Sequence, residues 1–254
     1  MSSKLSVVII TFNEERNIAK CIESVQLVAD EILVVDSLST DKTKTIAESL
    51  GARVIEHAFE GHIQQKNWAK NQAQFEFVLS LDADEMLTPE LVEEIRNQKE
   101  MDFPFAAYTM PRLNFVGDRS VKTCGWYPDR KLRLWRAKDG NWTGINPHDK
   151  LKMNMGFDQK RLNGDLLHYS YTNASEILSK SRKYGKIGAE NNKNMSWFNL
   201  IFKLFFSAGT KFVRNYLFKN GYKEGKLGII ICWGQLIETN SKYLGAIKLK
   251  IKNR

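Results

Sequence analysis

The chain has 254 residues, of which 43% are hydrophobic and 11% aromatic, which is enough for a sizeable core and excludes a disordered protein. Its formal net charge of +9 lies entirely in residues 195–254, which contain 11 Lys and Arg against 2 Asp and Glu, while residues 1–194 contain 27 of each sign. Nucleic-acid binding could explain such a charge, but no DNA- or RNA-binding module is recognisable, so no nucleic-acid partner is expected.

The predicted elements of the first half alternate between strands and helices. Short apolar, β-branched or aromatic runs predict strands, and apolar residues at helical spacing predict the helices between them. Strands are expected over residues 5–11, 31–36, 53–57 and 75–81, and helices over 15–28, 40–50, 63–74 and 89–98. This alternation is typical of βαβ units, so the fold class is α/β with a mostly parallel sheet.

The second half has a different pattern. Strands are expected over residues 105–110 and 131–136, and a helix over 174–192. The composition changes near Met195, where a basic segment rich in Phe, Leu and Ile begins. We therefore predict two domains, a catalytic domain over residues 1–194 and a helical extension over residues 195–254.

Polar and acidic residues follow three of the predicted strands, at residues 11–14, 36–41 and 81–85. Ligands of such sheets bind at the carboxyl ends of the strands, so these residues are expected to converge. Any one of them could simply cap a helix, but three acidic strand ends in succession favour a binding site. No glycine-rich dinucleotide fingerprint or phosphate-binding loop is present, so phosphates would be held by a metal ion and basic side chains.

Asp82 and Asp84 are the most informative of these acids. They follow the apolar residues 77–81, and two crowded carboxylates are costly unless a positive charge neutralises them. Mg²⁺ is commonly held by one or two carboxylates together with phosphate oxygens. The pair therefore predicts a divalent cation, Mg²⁺ or Mn²⁺, that could stabilise a departing diphosphate.

Three motifs together resemble glycosyltransferase family 2, an inverting family with a GT-A fold. They are residues 7–15 (VVIITFNEE), 34–43 (VVDSLSTDKT) and 81–85 (LDADE), and the resemblance covers roughly residues 4–150. Residues 125–135 (GWYPDRKLRLW), 142–144 (WTG) and 147–149 (PHD) are similar to the branch of bacterial lipopolysaccharide-core and lipooligosaccharide β-1,4-glucosyltransferases.

The resemblance implies roles for individual residues. Donor contacts are implied for Thr11, Phe12, Asn13, Glu14, Asp36, Lys66, Asp82 and Ala83. Asp84 is implied as a metal ligand, with Asp82 facing the ribose or the metal. Lys66 stands where many relatives carry arginine, and a lysine meets a phosphate as a point charge rather than through a planar bidentate contact.

Inversion requires a general base that deprotonates the acceptor hydroxyl on the side opposite the leaving diphosphate. The resemblance favours Asp149 in the His148-Asp149 pair, with Asp129 as the rival, and His148 could instead complete the coordination of the metal. Trp126, Trp135 and Trp142 could form a platform for the acceptor sugar, or could equally be core residues.

The basic extension, residues 195–254, indicates where in the cell the enzyme acts rather than which reaction it catalyses. Its apolar residues recur among basic ones, which is typical of an interfacial amphipathic helix on an anionic membrane. A dimer interface or a helix packed on the catalytic domain is the alternative. The three cysteines show no metal-binding spacing, and we recognise neither a signal peptide nor a membrane-spanning segment, so a cytoplasmic enzyme at the inner face of the membrane is expected.

The sequence therefore predicts a metal-dependent inverting glycosyltransferase that uses a nucleotide-sugar, with UDP favoured, and a glycan or glycolipid acceptor such as lipopolysaccharide core. A nucleotidyltransferase that makes the activated sugar is one alternative, although its usual glycine-rich basic loop is missing after the first strand. A non-catalytic protein that retains the fold is the other, and the intact acids argue against it.

Overall fold

The computed structural model describes residues 3–146, 148–154 and 156–252, and the chain forms two compact units. The first unit comprises the residues up to Arg112 together with residues 129–168, and the second comprises residues 113–128 together with those from Tyr169 onward. The predicted domain boundary between residues 194 and 195 falls inside the second unit. The division into a catalytic domain and an extension therefore stays a proposal about function.

Twelve strands and seven α-helices are assigned within the described ranges. The first half contains β1 (Leu5–Thr11), α1 (Ile18–Val25), β2 (Glu31–Asp36), α2 (Thr43–Ser49), β3 (Arg53–Glu56), α3 (His62–Asn71), β4 (Phe77–Asp82), β5 (Glu85–Leu87), α4 (Pro89–Glu100) and β6 (Ala107–Val116). The second half contains β7 (Arg119–Val121), β8 (Asp129–Arg136), β9 (Gly140–Ile145), β10 (His148–Met153), β11 (Gln159–Arg161), β12 (Leu166–Tyr171), α5 (Ala174–Asn192), α6 (Trp197–Val213) and α7 (Lys226–Lys252).

The main sheet has the strand order β3-β2-β1-β4-β8-β6-β12-β5. The first four strands run parallel, whereas β8 is antiparallel to both β4 and β6. A separate hairpin of β9 and β10 lies in the same unit. The expected parallel α/β sheet is thus confirmed, with antiparallel strands added on one side.

Strand β1 explains why the sheet lies at the centre of the first unit. All seven of its residues are buried. Leu5, Val7 and Ile9 pack in one core cluster, while Val8 and Ile10 pack in another. Because successive side chains of a strand point to opposite faces, the two clusters lie on the two faces of the sheet.

The predicted strands over residues 5–11 and 31–36 are confirmed to the residue. The helix predicted over residues 15–28 is shorter, Ile18–Val25, and its predicted apolar stripe is buried. The helix begins only at Ile18 because residues 15–17 form a turn, closed by a 2.9 Å hydrogen bond from the Asn17 backbone N–H to the Glu14 carbonyl oxygen.

The second unit is largely helical. Helices α5 and α7 pack closely, because Gly185 lies against Ser241, where a Cβ on the glycine would come 2.5 Å from the serine Cβ. The side chain of Asn173 caps α5 by accepting hydrogen bonds from the backbone of Ser175 and Glu176, and α5 has the predicted bounds. Within the described residues, no helix combines the length and the apolar character that a membrane crossing requires.

Candidate functional site

The carboxyl ends of three neighbouring strands lie side by side in the first unit. Thr11 at the end of β1 is the register partner of Asp36 in β2, and Ile10 is the partner of Asp82 in β4. One residue from each of the three motifs, Thr11, Asp36 and Asp82, is therefore brought to one edge of the sheet. This is the edge at which ligands of parallel α/β sheets bind.

The loops after β1 and β2 are tied to each other by hydrogen bonds. The backbone N–H of Asn13 donates to Ser39 Oγ over 2.9 Å, and Thr40 N–H donates to Asn13 Oδ1 over 2.8 Å. Glu14 N–H donates to Thr43 Oγ1 over 2.8 Å. The ring of Phe12 is left 57% exposed beside this junction. The loops thus form one shared rim, on which three of the predicted donor contacts lie, Phe12, Asn13 and Glu14.

Thr11 and Asp36 lie below this rim and are both buried. Asp36 accepts hydrogen bonds from the backbone N–H of Ser39 over 2.7 Å and from its hydroxyl over 2.5 Å, so in this structure it holds the β2–α2 loop. Thr11 Oγ1 is buried without a hydrogen-bond partner among the described residues. A buried polar atom of this kind is one that a ligand could satisfy.

A buried lysine joins two of the predicted carboxylates. Lys66 Nζ, on α3, lies 3.0 Å from Asp82 Oδ1 and 2.9 Å from Asp149 Oδ2, and its side chain is 3% exposed. Burial alone would raise the pKa of Asp82, but the charges of Lys66 and Arg133 outweigh it and hold that pKa far below its usual range. Asp149 is thereby brought to the end of β4 from a hairpin distant in sequence.

Two arginines that the sequence analysis did not single out continue this network. Arg133 Nη2 lies 2.6 Å from Glu85 Oε1 and 3.1 Å from Asp82 Oδ2. Arg112 connects Glu85, at 3.5 Å, with Asp129, at 2.8 Å. Burial alone would lower the pKa of Arg133, but Glu85 and Asp82 raise it. Lys131 and Arg133 alternate with apolar residues along β8. This alternation is the one sequence signal that could have pointed to Arg133 as a member of the site.

The network is balanced in charge. Lys131 Nζ lies 3.0 Å from Asp129 Oδ1 and completes it. Its four carboxylates and four cations are Asp82, Glu85, Asp129 and Asp149 with Lys66, Arg112, Lys131 and Arg133. Both candidate bases, Asp149 and Asp129, therefore belong to one connected set of ion pairs, at its opposite ends.

Asp84 is placed differently from these carboxylates. Its Oδ2 atom lies 3.4 Å from His168 Nε2 of β12, and the two side chains are 23% and 16% exposed. His168 was not foreseen, and the side chain of the predicted His148 lies outside the described residues. In the described ranges no group of three or more His, Cys, Asp and Glu side chains is arranged to hold a metal ion. Asp84 and His168 thus bring one carboxylate oxygen and one imidazole nitrogen close together at a partly exposed position.

Of the two alternatives left open for the tryptophans, the core position applies to Trp135 and Trp142. Trp135 is fully buried and Trp142 is 4% exposed, and the two rings pack edge to face at 6.1 Å. Lys66 Nζ lies 4.6 Å from the Trp142 ring centroid, so this ring has no open face for a sugar and is a core residue. Trp126 belongs to the second unit, where it is half-buried and stacks on Tyr171.

The buried ion pairs lead to a prediction about stability. We expect Lys66→Met to lower the free energy of unfolding by about 3 kcal/mol, the low end for a broken buried pair, because it leaves the partly buried Asp149 without its cation while Asp82 keeps Arg133. Urea denaturation measures this. Lys138→Met is the matched control, since Lys138 pairs with Glu76 at a 69% exposed position and should change stability by no more than about 0.5 kcal/mol. Equal effects of the two variants would contradict the structural role of Lys66.

Comparison with known proteins adds independent findings. A model of the family described as "Glycosyl transferase family 2" matches residues 6–163. The chain is 34% identical over 205 residues to an uncharacterized glycosyltransferase of Rickettsia typhi, covering 74% of this chain and 68% of that protein. It is 32% identical over 238 residues to another from Rickettsia conorii, covering 85% and 82%.

Two further similarities are more distant. The chain is 28% identical over 233 residues to the lipopolysaccharide core biosynthesis glycosyltransferase LpsC of Rhizobium meliloti, covering 89% of this chain and 85% of that protein. Among solved structures it is similar to glucosyl-3-phosphoglycerate synthase from Mycobacterium tuberculosis in complex with Mn²⁺, UDP and phosphoglyceric acid, at 23% identity and a TM-score of 0.37. That match covers 44% of this chain and 43% of the solved chain, less than half of either.

Proposed function

The chain belongs to glycosyltransferase family 2 and has its GT-A fold, and on this premise we propose that it is a metal-dependent inverting enzyme that transfers a hexose from a nucleotide-sugar to a bacterial cell-surface glycan or glycolipid. The observation that carries the proposal is the shared lysine. Lys66 pairs with Asp82, a predicted donor contact, and with Asp149, the predicted base. The donor would thus bind beside Asp82, and the acceptor hydroxyl would be deprotonated beside Asp149, with the buried Lys66 between the two carboxylates.

The donor side is supported by the three strand ends. The exposed ring of Phe12 could stack on a nucleobase, and the buried Thr11 Oγ1 has a hydrogen bond to offer. Asp36 would bond the base edge through lone pairs that its contacts with Ser39 leave unused. We favour a UDP-sugar, with glucose or a similar hexose as the group transferred.

A divalent cation fits the residues present. Asp84 Oδ2 and His168 Nε2 are 3.4 Å apart, close to the roughly 3 Å between neighbouring ligands of an octahedral ion whose bonds are about 2.1 Å long. Carboxylate oxygens suit both Mg²⁺ and Mn²⁺. When bound, the ion would neutralise negative charge on the diphosphate. Asp84 and His168 would hold the ion. That His148 completes its coordination stays a prediction.

In the proposed transfer step, Asp149 is the general base. One carboxylate oxygen of Asp149 would accept the proton of the acceptor hydroxyl, while the oxygen of that hydroxyl forms the bond to the anomeric carbon. The bond from the anomeric carbon to the diphosphate oxygen breaks on the opposite face, so the configuration inverts and the nucleoside diphosphate leaves. Lys66 would hold Asp149 in place for this step.

The acceptor is inferred from a relative and from the composition of the chain. LpsC is named for lipopolysaccharide core biosynthesis, and such an acceptor would be glycolipid in nature. A basic tail suits an enzyme held at the inner face of the cytoplasmic membrane, where a lipid-linked acceptor would be concentrated. Membership of a glycosyltransferase family argues against the nucleotidyltransferase alternative, and turnover would exclude the non-catalytic one.

A screen of nucleotide-sugars tests the proposal most directly. We expect slow release of nucleoside diphosphate from one donor class, foremost UDP-glucose and other UDP-hexoses, in the presence of Mg²⁺ or Mn²⁺ and not after chelation. Addition of the right acceptor should accelerate release and yield a product of inverted anomeric configuration, measurable by NMR. Absence of turnover with every donor, with the protein folded, would favour a non-catalytic binding protein.

A further inference from the structure

Helix α6 exposes a face made of large apolar side chains. We call this surface the α6 apolar face. Each of its side chains is at least 45% exposed, and its members are Phe198, Ile201, Phe202, Phe205, Phe206 and Val213. Phe198 and Phe205 are 77% and 74% exposed. Because these positions are three, four or seven residues apart along the helix, they lie on one side of it. The side chains are also ordered against one another, since the Phe202 and Phe206 rings lie 4.9 Å apart.

The opposite side of α6 already has its packing partners within the second unit. Leu200 is fully buried in a cluster with Tyr243 and Ala246 of α7, and Leu204 packs against that cluster. The α6 apolar face is therefore a second hydrophobic side, beyond what the unit needs for its own core. An amphipathic helix of a soluble protein normally turns its polar side to water. A contiguous exposed apolar surface instead marks an interaction site.

The charges around the face indicate what it contacts. Residues 196–223 contain five basic residues and no acidic one. Arg214, Lys219 and Lys223 are exposed near the end of the face, and Phe218 among them is 78% exposed. Two copies of this surface in a dimer would bring ten like charges together, which is unfavourable. A surface that is anionic at its boundary and apolar inside matches both properties.

We propose that α6 is a monolayer-insertion helix, which lies in the plane of an anionic lipid bilayer with its apolar face among the acyl chains. The basic residues at its end contact lipid phosphates, while Leu200 and Leu204 keep the helix attached to α7. The binding element is thus one face of one helix rather than the whole basic extension. This inference deepens the proposed function on the acceptor side, since a lipid-linked acceptor would lie at the same surface.

Vesicle co-sedimentation of the full-length protein tests the proposal. The probes are vesicles of phosphatidylcholine mixed with phosphatidylglycerol, against phosphatidylcholine alone. We expect binding to the mixed vesicles that weakens in high salt. The double variant Phe198→Gln/Phe205→Gln should bind at least about thirtyfold more weakly, because two inserted aromatic rings are lost. In the double variant Lys219→Glu/Lys223→Glu, the affinity for the anionic vesicles should fall at least about fivefold for each charge replaced. Its affinity for pure phosphatidylcholine vesicles should not change.

A matched control uses exposed apolar residues elsewhere. Leu27→Gln/Met101→Gln replaces side chains that are 77% and 54% exposed in the first unit, and it should bind vesicles as the unaltered protein does. Failure of the unaltered protein to bind anionic vesicles at low salt would overturn the proposal, as would undiminished binding by the phenylalanine variant. A dimer that the phenylalanine variant abolishes, without vesicle binding, would assign the face to self-association instead. Donor turnover is read separately, so a failure here is distinct from a failure of the proposed function.

Discussion

Replacing Asp84 with alanine is expected to abolish sugar transfer while leaving the fold intact. Asp84 stands apart from the balanced network of ion pairs, and its recorded partner is His168 at 3.4 Å. Its loss therefore leaves no buried arginine or lysine uncompensated, whereas it removes a carboxylate that the proposed cation requires. Charge stabilisation by a bound metal supplies several kcal/mol to reactions of this kind, so little turnover should remain.

The measurement pairs turnover with direct metal binding. Titration calorimetry with Mn²⁺ or Mg²⁺ in the presence of UDP should show weaker binding by Asp84→Ala, and circular dichroism should show an unchanged fold. Asp139→Ala is a suitable control, since its carboxylate is 31% exposed and lies away from the strand ends. Full activity of Asp84→Ala, or undiminished turnover in excess chelator, would rule out the metal-dependent mechanism.

Replacing Asp149 with asparagine should reduce transfer at least about a hundredfold, the low end for a positioned acid–base group. Asparagine keeps the size of the side chain and can still contact Lys66, but it cannot accept the proton of the acceptor hydroxyl. Donor affinity should change little, because Asp149 is not itself among the proposed donor contacts. The expected signature is therefore a fall in kcat with a nearly constant donor Kd.

Asp129→Asn is the decisive comparison for this assignment. Asp129 pairs with Arg112 and Lys131 at the other end of the same network and is 34% exposed. If it only balances charge, its replacement should leave most of the activity. An active Asp149→Asn together with an inactive Asp129→Asn would show that the base had been assigned to the wrong carboxylate.

The local elements of the fold could be predicted from the sequence with little loss. Strands β1 and β2 have the predicted bounds because their apolar runs are buried on both faces, and that pattern is legible without any partner. The convergence of Thr11, Asp36 and Asp82 followed from the same reasoning, since parallel strands bring their carboxyl ends to one edge. The family followed as well, because its motifs are short and contiguous.

Tertiary structure alone decided which distant side chains meet at that edge. Lys66 lies 83 positions from Asp149 in sequence, and periodicity carries no information about such a pair. The same is true of Arg133 beside Asp82 and of His168 beside Asp84. It also decided that Trp142 is covered by Lys66, although its sequence context suited an open platform equally well.

The basic extension illustrates both sides of this division. Its charge and its apolar residues were plain from the sequence, and they predicted an interfacial helix. In α6, however, apolar residues occur on more than one side, so the pattern could not tell which side packs inward. Contact of Leu200 with α7 settles this and leaves Phe198 and Phe205 exposed. Periodicity is a property of one segment, whereas burial depends on which other segment covers it, and that is determined only when the whole chain packs.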